Sequence, residues 1–182
     1  NDKSKKNENY ILFVGRLVPE KSVDNLIIAI SFLKHKKKIS LNIVGDGFQM
    51  EYLKDFTINN KMSDFVKFHG WQKDLESFYQ KAHVFVLPSY IEGAPSALYE
   101  AMSFGIPSVI SNLDLAPDNS VLKCSENSPE EISKNISLIL DNSELCDKLS
   151  NRSRKVAEKY FNRDDMAKEH LKLYKNLYNK IK

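Results

Sequence analysis

Short, largely apolar runs recur along the chain, each followed by an amphipathic segment, and this rhythm limits the fold more than any other feature. The runs occupy 10–14, 41–44, 66–68, 84–87 and 108–110. Strands with one wet face alternate apolar and polar residues, whereas continuous runs belong to strands covered on both faces. Between the first two runs, Val23, Leu26, Ile27, Ile30 and Leu33 of 22–35 fall at the spacing of a helix with one apolar face, with Ser22 placed to cap it. Segments 48–58, 75–82 and 96–104 read as further helices. Strands alternating with helices call for right-handed crossovers and a parallel sheet flanked by helices. The expected class is therefore α/β.

After about residue 112 the pattern changes. A weak strand at 121–124 precedes three predicted helices, 129–140, 144–160 and 164–181, the last with Met166, His170, Leu173, Leu177 and Ile181 at roughly helical spacing. This divides the chain into a polar, lysine-rich linker or frayed terminus (1–9), an α/β domain (10–160) and a C-terminal helix (161–182) that needs something outside this chain to pack on. The chain opens NDKSKKNEN without a methionine and reads as a piece of a longer protein.

Composition narrows the function. The 182 residues carry 27 basic and 24 acidic side chains, a net +3 that is too balanced to argue for nucleic acid. The basic segments, Lys34–Lys38 and the lysines of the last helix, read as solvated faces, with contact to anionic lipid as the alternative. No apolar run approaches the roughly 20 residues of a membrane helix, and no signal-like segment opens the chain. Cys124 and Cys146 form neither a disulfide framework nor a metal-ligand spacing. The expected setting is cytoplasmic, with peripheral contact at the inner membrane face as the variant that the lysines allow.

In open parallel sheets, ligands bind beyond the carboxyl ends of the strands, so the segments after each run carry the chemistry. After the first comes Gly15-Arg16-Leu17-Val18-Pro19-Glu20-Lys21. A glycine beside two cations at a helix start suits a phosphate or pyrophosphate, while a solvated turn pairing with Glu20 and Asp24 is the plainer reading. Gly45-Asp46-Gly47 follows the second run and can be turn chemistry alone. After the third, Trp71 could stack on a base or simply pack, and His69 reads as structural. After the fourth, Glu92-Gly93-Ala94 leads to Pro95, suited to the first helical position, and to a helix with Glu100 one turn inside. Carboxylates repel phosphate but accept well from hydroxyl groups. Two separated carboxylates, a helix N-terminus and two cations suit a ligand whose two hydroxylated parts are joined by phosphates, as in a nucleotide-sugar.

These residues resemble those of the glycosyltransferase family 4, or "glycosyl transferases group 1". Phe13-Val14-Gly15-Arg16-Leu17-x-x-x-Lys21, Ile43-Val44-Gly45-Asp46-Gly47, Val66-x-Phe68-x-Gly70 and Glu92-x7-Glu100-Ala101-Met102-x-x-Gly105-x-Pro107 match family segments in the family's order, across residues 11 to 110. The resemblance implies a Rossmann-like parallel sheet flanked by helices, the C-terminal half of a GT-B glycosyltransferase, with extra C-terminal helices. It implies a retaining transferase with a nucleotide-diphosphate sugar as donor, no cofactor and no metal; the sequence has no Asp-x-Asp motif. Glu92 would contact the transferred sugar as the catalytic residue. Gly15, Arg16 and Lys21 would hold the donor pyrophosphate, and Glu100 the ribose hydroxyls. Gly93, Ala94, Pro95, Ser96 and Ala97 would line the donor site, and Gln72 would lie near the base. The acceptor, a glycan or a lipid-linked sugar, would bind mainly to an N-terminal domain outside this chain, which alone would bind donor but transfer poorly. The commonest family roles point to a bacterial surface polysaccharide or lipopolysaccharide.

Two departures stand out. Pro95 replaces a frequent family glycine and removes one amide donor, and Ser111-Asn-Leu-Asp-Leu-Ala-Pro117 replaces a segment that usually bears glycine and glutamate. The alternatives are a transferase-derived domain kept for binding or assembly and a GT-B sugar-nucleotide epimerase or phosphorylase. All four charged site residues are present, which argues against decay.

Overall fold

The computed structural model describes residues 8–117, 119–160 and 163–181. Six parallel strands form its one described sheet: β1 (Asn9–Val14), β2 (Ile39–Val44), β3 (Val66–Phe68), β4 (Val84–Leu87), β5 (Ser108–Ser111) and β6 (Leu122–Cys124), in the order β3-β2-β1-β4-β5-β6. Every residue of β2, β4 and β5 is buried, including the polar Ser40 and Asn42, whereas the edge strand β3 exposes Lys67 and is not covered on both faces. The helices are α1 (Val23–Ser31), α2 (Met50–Asn59), α3 (Glu76–Lys81), α4 (Ser96–Ser103), α5 (Pro129–Asp141), α6 (Ser143–Tyr160) and α7 (Arg163–Ile181).

The strand order explains the layers. From β1 the chain winds outward through β2 to β3, then returns across the sheet to β4 and continues to β5 and β6. Right-handed crossovers in the two directions place α1 and α2 on one face and α3 and α4 on the other. Later helices thicken both layers: α5 packs on α1, and α6 on α4. Leu26, Ile27 and Ile30 of α1 and Ile132, Ile136 and Ile139 of α5 are buried between these elements. Each such side chain contributes roughly 1.5–3 kcal/mol by leaving water.

Several boundaries differ from expectation. Asn9 opens β1, so the predicted linker loses its last residue to the sheet, and residues 1–7 lie outside the described residues. Helix α1 ends at Ser31 instead of 35, and a one-turn 3-10 helix, Pro19–Lys21, precedes it. Ser22 stands at the N-cap position but makes no capping bond. Its backbone is left-handed (φ 52°), and its hydroxyl bonds Asn127 Oδ1 at 3.1 Å while accepting from Asn25 Nδ2 at 2.8 Å. Helix α7 exposes every residue from 167 to 180. The side chains of Met166 and Ile181, two positions of the face expected there, lie outside the described residues.

Candidate functional site

The loops beyond the carboxyl ends of β1, β2 and β3 are knitted together by main-chain bonds. Gly15 N donates to Val44 O at 3.0 Å, Leu17 N to Asp46 O at 2.9 Å, Gln49 N to Leu17 O at 3.1 Å, and Gly45 N to Gly70 O at 2.8 Å. This contact explains two glycines that turn chemistry alone leaves open. A Cβ on Gly45 would lie 1.9 Å from the Gly15 carbonyl oxygen, and one on Gly47 would lie 2.3 Å from that of Leu17. Gly45 also holds φ at +134°, a region L side chains avoid. The family-like glycine pair therefore lets the phosphate-loop candidate rest on its neighbour.

His69 supports the same platform from below. Its Nε2 lies 2.9 Å from Oδ1 of the buried Asn42, so the ring donates there, as the structural reading expected. Burial, joined by the charges of Lys67 and Lys81, pulls its titration below the ordinary value. A histidine held neutral in the fold takes up a proton more readily once unfolded. Stability is expected to fall as the pH drops below about 6.5, and His69→Gln to flatten that slope in denaturant titrations; an unchanged slope would remove the assignment.

The strand order reverses between β1 and β4, which makes the gap beyond their carboxyl ends the crevice of the sheet. The β1–α1 and β4–α4 segments meet there. Tyr90 N donates to Glu20 O at 3.1 Å. Lys21 Nζ lies 2.5 Å from Glu92 Oε1, with the two side chains only 13% and 7% exposed. The plainer turn reading is half right: Arg16 approaches Glu20 at 3.9 Å, but Lys21 pairs across 71 residues with Glu92 instead of with its sequence neighbours. Burial, and after it the nearby Glu92 carboxylate, raise the titration of the Tyr99 hydroxyl of α4. Ser89 Oγ, fully buried next to Tyr90, has no hydrogen-bond partner among the described residues.

The Arg16 side chain, in contrast to this enclosed pair, is 76% exposed. With Gly15, Asp46, Trp71 and Gln72 it lines a cleft of about 200 Å³. Trp71 is exposed there, so the packing alternative does not hold for it. Gln72 donates from Nε2 to His69 O at 2.8 Å, which fixes its amide beside the cleft. Helix α4 begins at Ser96, with Pro95 at the N-cap position, one residue earlier than expected for a proline inside the first turn. Its first turn is anchored by Leu98 N and Tyr99 N donating to Pro95 O, and the amides of Ser96 and Ala97 head the helix with its positive dipole end. Gly93 and Ala94 are exposed in the loop before it. Glu100 is exposed one turn in, and its Oε2 accepts from the buried Tyr79 hydroxyl at 2.9 Å.

The glycosyl transferases group 1 family profile matches residues 1–156. The chain belongs to that family. An uncharacterised glycosyltransferase of Haemophilus influenzae is 34% identical over 158 residues, covering 82% of this chain and 44% of the relative. The Escherichia coli UDP-Gal:alpha-D-GlcNAc-diphosphoundecaprenol alpha-1,3-galactosyltransferase is 33% identical, covering 60% of this chain and 30% of the relative. The chain thus spans less than half the length of either. The Anabaena HepE crystal structure in complex with UDP-glucose superposes with a TM-score of 0.87 at 17% identity, covering 93% of this chain and 49% of that one. The shared fold is the GT-B half that the resemblance implied.

Among the residues expected from the glycosyltransferase motifs, the fold joins Lys21 to Glu92 directly and Gly15, Arg16 and Gln72 in one cleft. It holds Glu100 separately, through Tyr79. Tyr79 and Ser89 were missed: one sits in a short helix with no motif of its own, and the other precedes the Glu92 motif without sharing its spacing. A larger cavity, about 550 Å³, lies at the opposite end of the sheet beside Asn9, His83 and Pro107; Tyr79 lines it, but none of the site residues expected from the motifs does. No helix of the described residues is long and apolar enough to cross a membrane.

Proposed function

We propose that this chain is the donor-binding half of a retaining, metal-independent glycosyltransferase that uses a nucleoside-diphosphate sugar. One observation carries the reading: at the reversal of strand order, the two family loops are locked together by the enclosed Lys21–Glu92 pair. An ammonium has three donors. One meets Glu92, leaving two for diphosphate oxygens, so Lys21 bridges the sugar-facing carboxylate and the phosphates. Arg16 and the α4 N-terminus add positive potential. Charge that develops on the departing diphosphate is met by groups already in place, a preorganised electrostatic effect. Glu92, held from one oxygen, keeps the other to position the transferred sugar, and Glu100 accepts from the ribose hydroxyls.

The donors named for the E. coli relative and the HepE complex make a uridine diphosphate sugar the first donor to try, and the acceptor named for the former makes a lipid-linked sugar the first acceptor. The acceptor binds mainly to sequence outside this chain. The exposed Leu171, Tyr174 and Leu177 of α7 pack on that sequence. The setting is the cytoplasmic face of a membrane, and the product is a surface glycan. Arg16→Ala is expected to weaken nucleoside diphosphate binding by about 1.5–3 kcal/mol, the range for hydrogen bonds to charged groups. The same change should weaken pyrophosphate binding, whereas Glu100→Ala should spare pyrophosphate and weaken only the nucleotide. Calorimetry reads both, and an Arg16→Ala chain with full affinity for both ligands would refute the phosphate assignment.

A further inference from the structure

We propose that Tyr79 is a positioning residue of the nucleoside subsite, holding the Glu100 carboxylate in the orientation that receives ribose hydroxyls; this rests on the donor-binding reading above. Tyr79 comes from α3, outside every family-like segment, and is 2% exposed. Its ring is clamped: it stacks on Phe104 with centroids 5.3 Å apart and planes 22° apart, and meets Phe85 at 6.4 Å. A ring so enclosed has one orientation, and its hydroxyl therefore one place.

That place lies 2.9 Å from Glu100 Oε2 and 3.4 Å from Ala97 O. A phenol has one proton, and the nearer, charged oxygen takes it. Burial first, then the Glu100 charge and the hydrogen bond itself, push the Tyr79 hydroxyl's titration far above its ordinary value, so it remains a donor throughout the working pH range. Glu100, by contrast, sits on an exposed helix surface. Without an anchor its long side chain samples several rotamers, and ordering it opposes binding. With Oε2 tethered, Oε1 and the second lone pair of Oε2 present a fixed pair of acceptors, which is what two neighbouring hydroxyls on a ribose require.

The test uses Tyr79→Phe, which keeps the ring between Phe85 and Phe104 and removes only the hydroxyl. Affinity for UDP, with GDP and ADP in parallel, is expected to fall about five- to tenfold, the scale of one net hydrogen bond. Pyrophosphate affinity should be unchanged, and the preference for UDP over 2′-deoxy-UDP should shrink by a similar factor. In a Glu100→Ala chain the Tyr79→Phe change should have no further effect on UDP. A purely structural tyrosine would lower UDP and pyrophosphate affinity together, along with the melting temperature, and that result overturns the assignment. If the unaltered chain binds UDP with Glu100 dependence and Tyr79→Phe matches it, the tyrosine assignment alone falls. If the unaltered chain binds no nucleotide, both readings fall.

Discussion

Replacing Lys21 with methionine is expected to lower the unfolding free energy by about 3 kcal/mol, a large effect for a single substitution. Methionine fills the space of the lysine stem but leaves Glu92, only 7% exposed, with a charge and no partner. Breaking an enclosed pair from one side typically costs about 3–5 kcal/mol, and the residual exposure here argues for the lower end. For a chain of this size that is a fall of roughly 6–12 °C in melting temperature. The double change Lys21→Met with Glu92→Gln should recover much of the loss, because no unpaired charge then remains. Thermal melts of the two single changes and the double decide it: a Lys21→Met chain within about 0.5 kcal/mol of the original would mean that the pair is a loose surface contact. Nucleotide affinity should fall in Lys21→Met as well, so the same residue links fold and ligand.

Gly45→Ala is expected to cost about 2–4 kcal/mol, through two separate causes. The first is backbone: φ at +134° is strained for any residue with a Cβ, at roughly 1–3 kcal/mol. The second is steric, since the new Cβ would meet the Gly15 carbonyl oxygen at 1.9 Å, and main chain cannot swing aside as a flexible side chain does. Relief requires the β2–α2 loop to separate from the β1–α1 loop, which carries Arg16. Urea titration should therefore show lost stability, and calorimetry a matching loss of affinity for pyrophosphate. A Gly45→Ala chain with native stability would contradict the close approach of the two loops.

Strands were legible because their burial is a local property: an uninterrupted apolar run such as Val84–Leu87 states that both faces are covered. The helices followed from their periodicity, whereas the reversal in strand order emerged only with the structure. What the sequence could not show were pairings across long separations. Lys21 and Glu92 are 71 residues apart, and spacing alone offered only nearby acids as ion-pair partners for Lys21. Ser22 looked like a helix cap because serine is a favoured residue just before a helical pattern. Its hydroxyl goes instead to Asn127, 105 residues away, whose own left-handed backbone places it before α5. Gly45 and Gly47 read equally well as a turn until the approach of the first loop was visible. Tyr79 carried no signal, since its role depends on a helix brought alongside by the long return from β3 to β4.

The most direct measurement of the donor-binding claim is calorimetric titration of this chain with UDP, GDP and ADP beside inorganic pyrophosphate. One nucleoside diphosphate is expected to bind more tightly than pyrophosphate, because Glu100 and the cleft between Arg16 and Gln72 add to what Arg16, Lys21 and the α4 N-terminus supply. A folded chain that binds none of the four would contradict it.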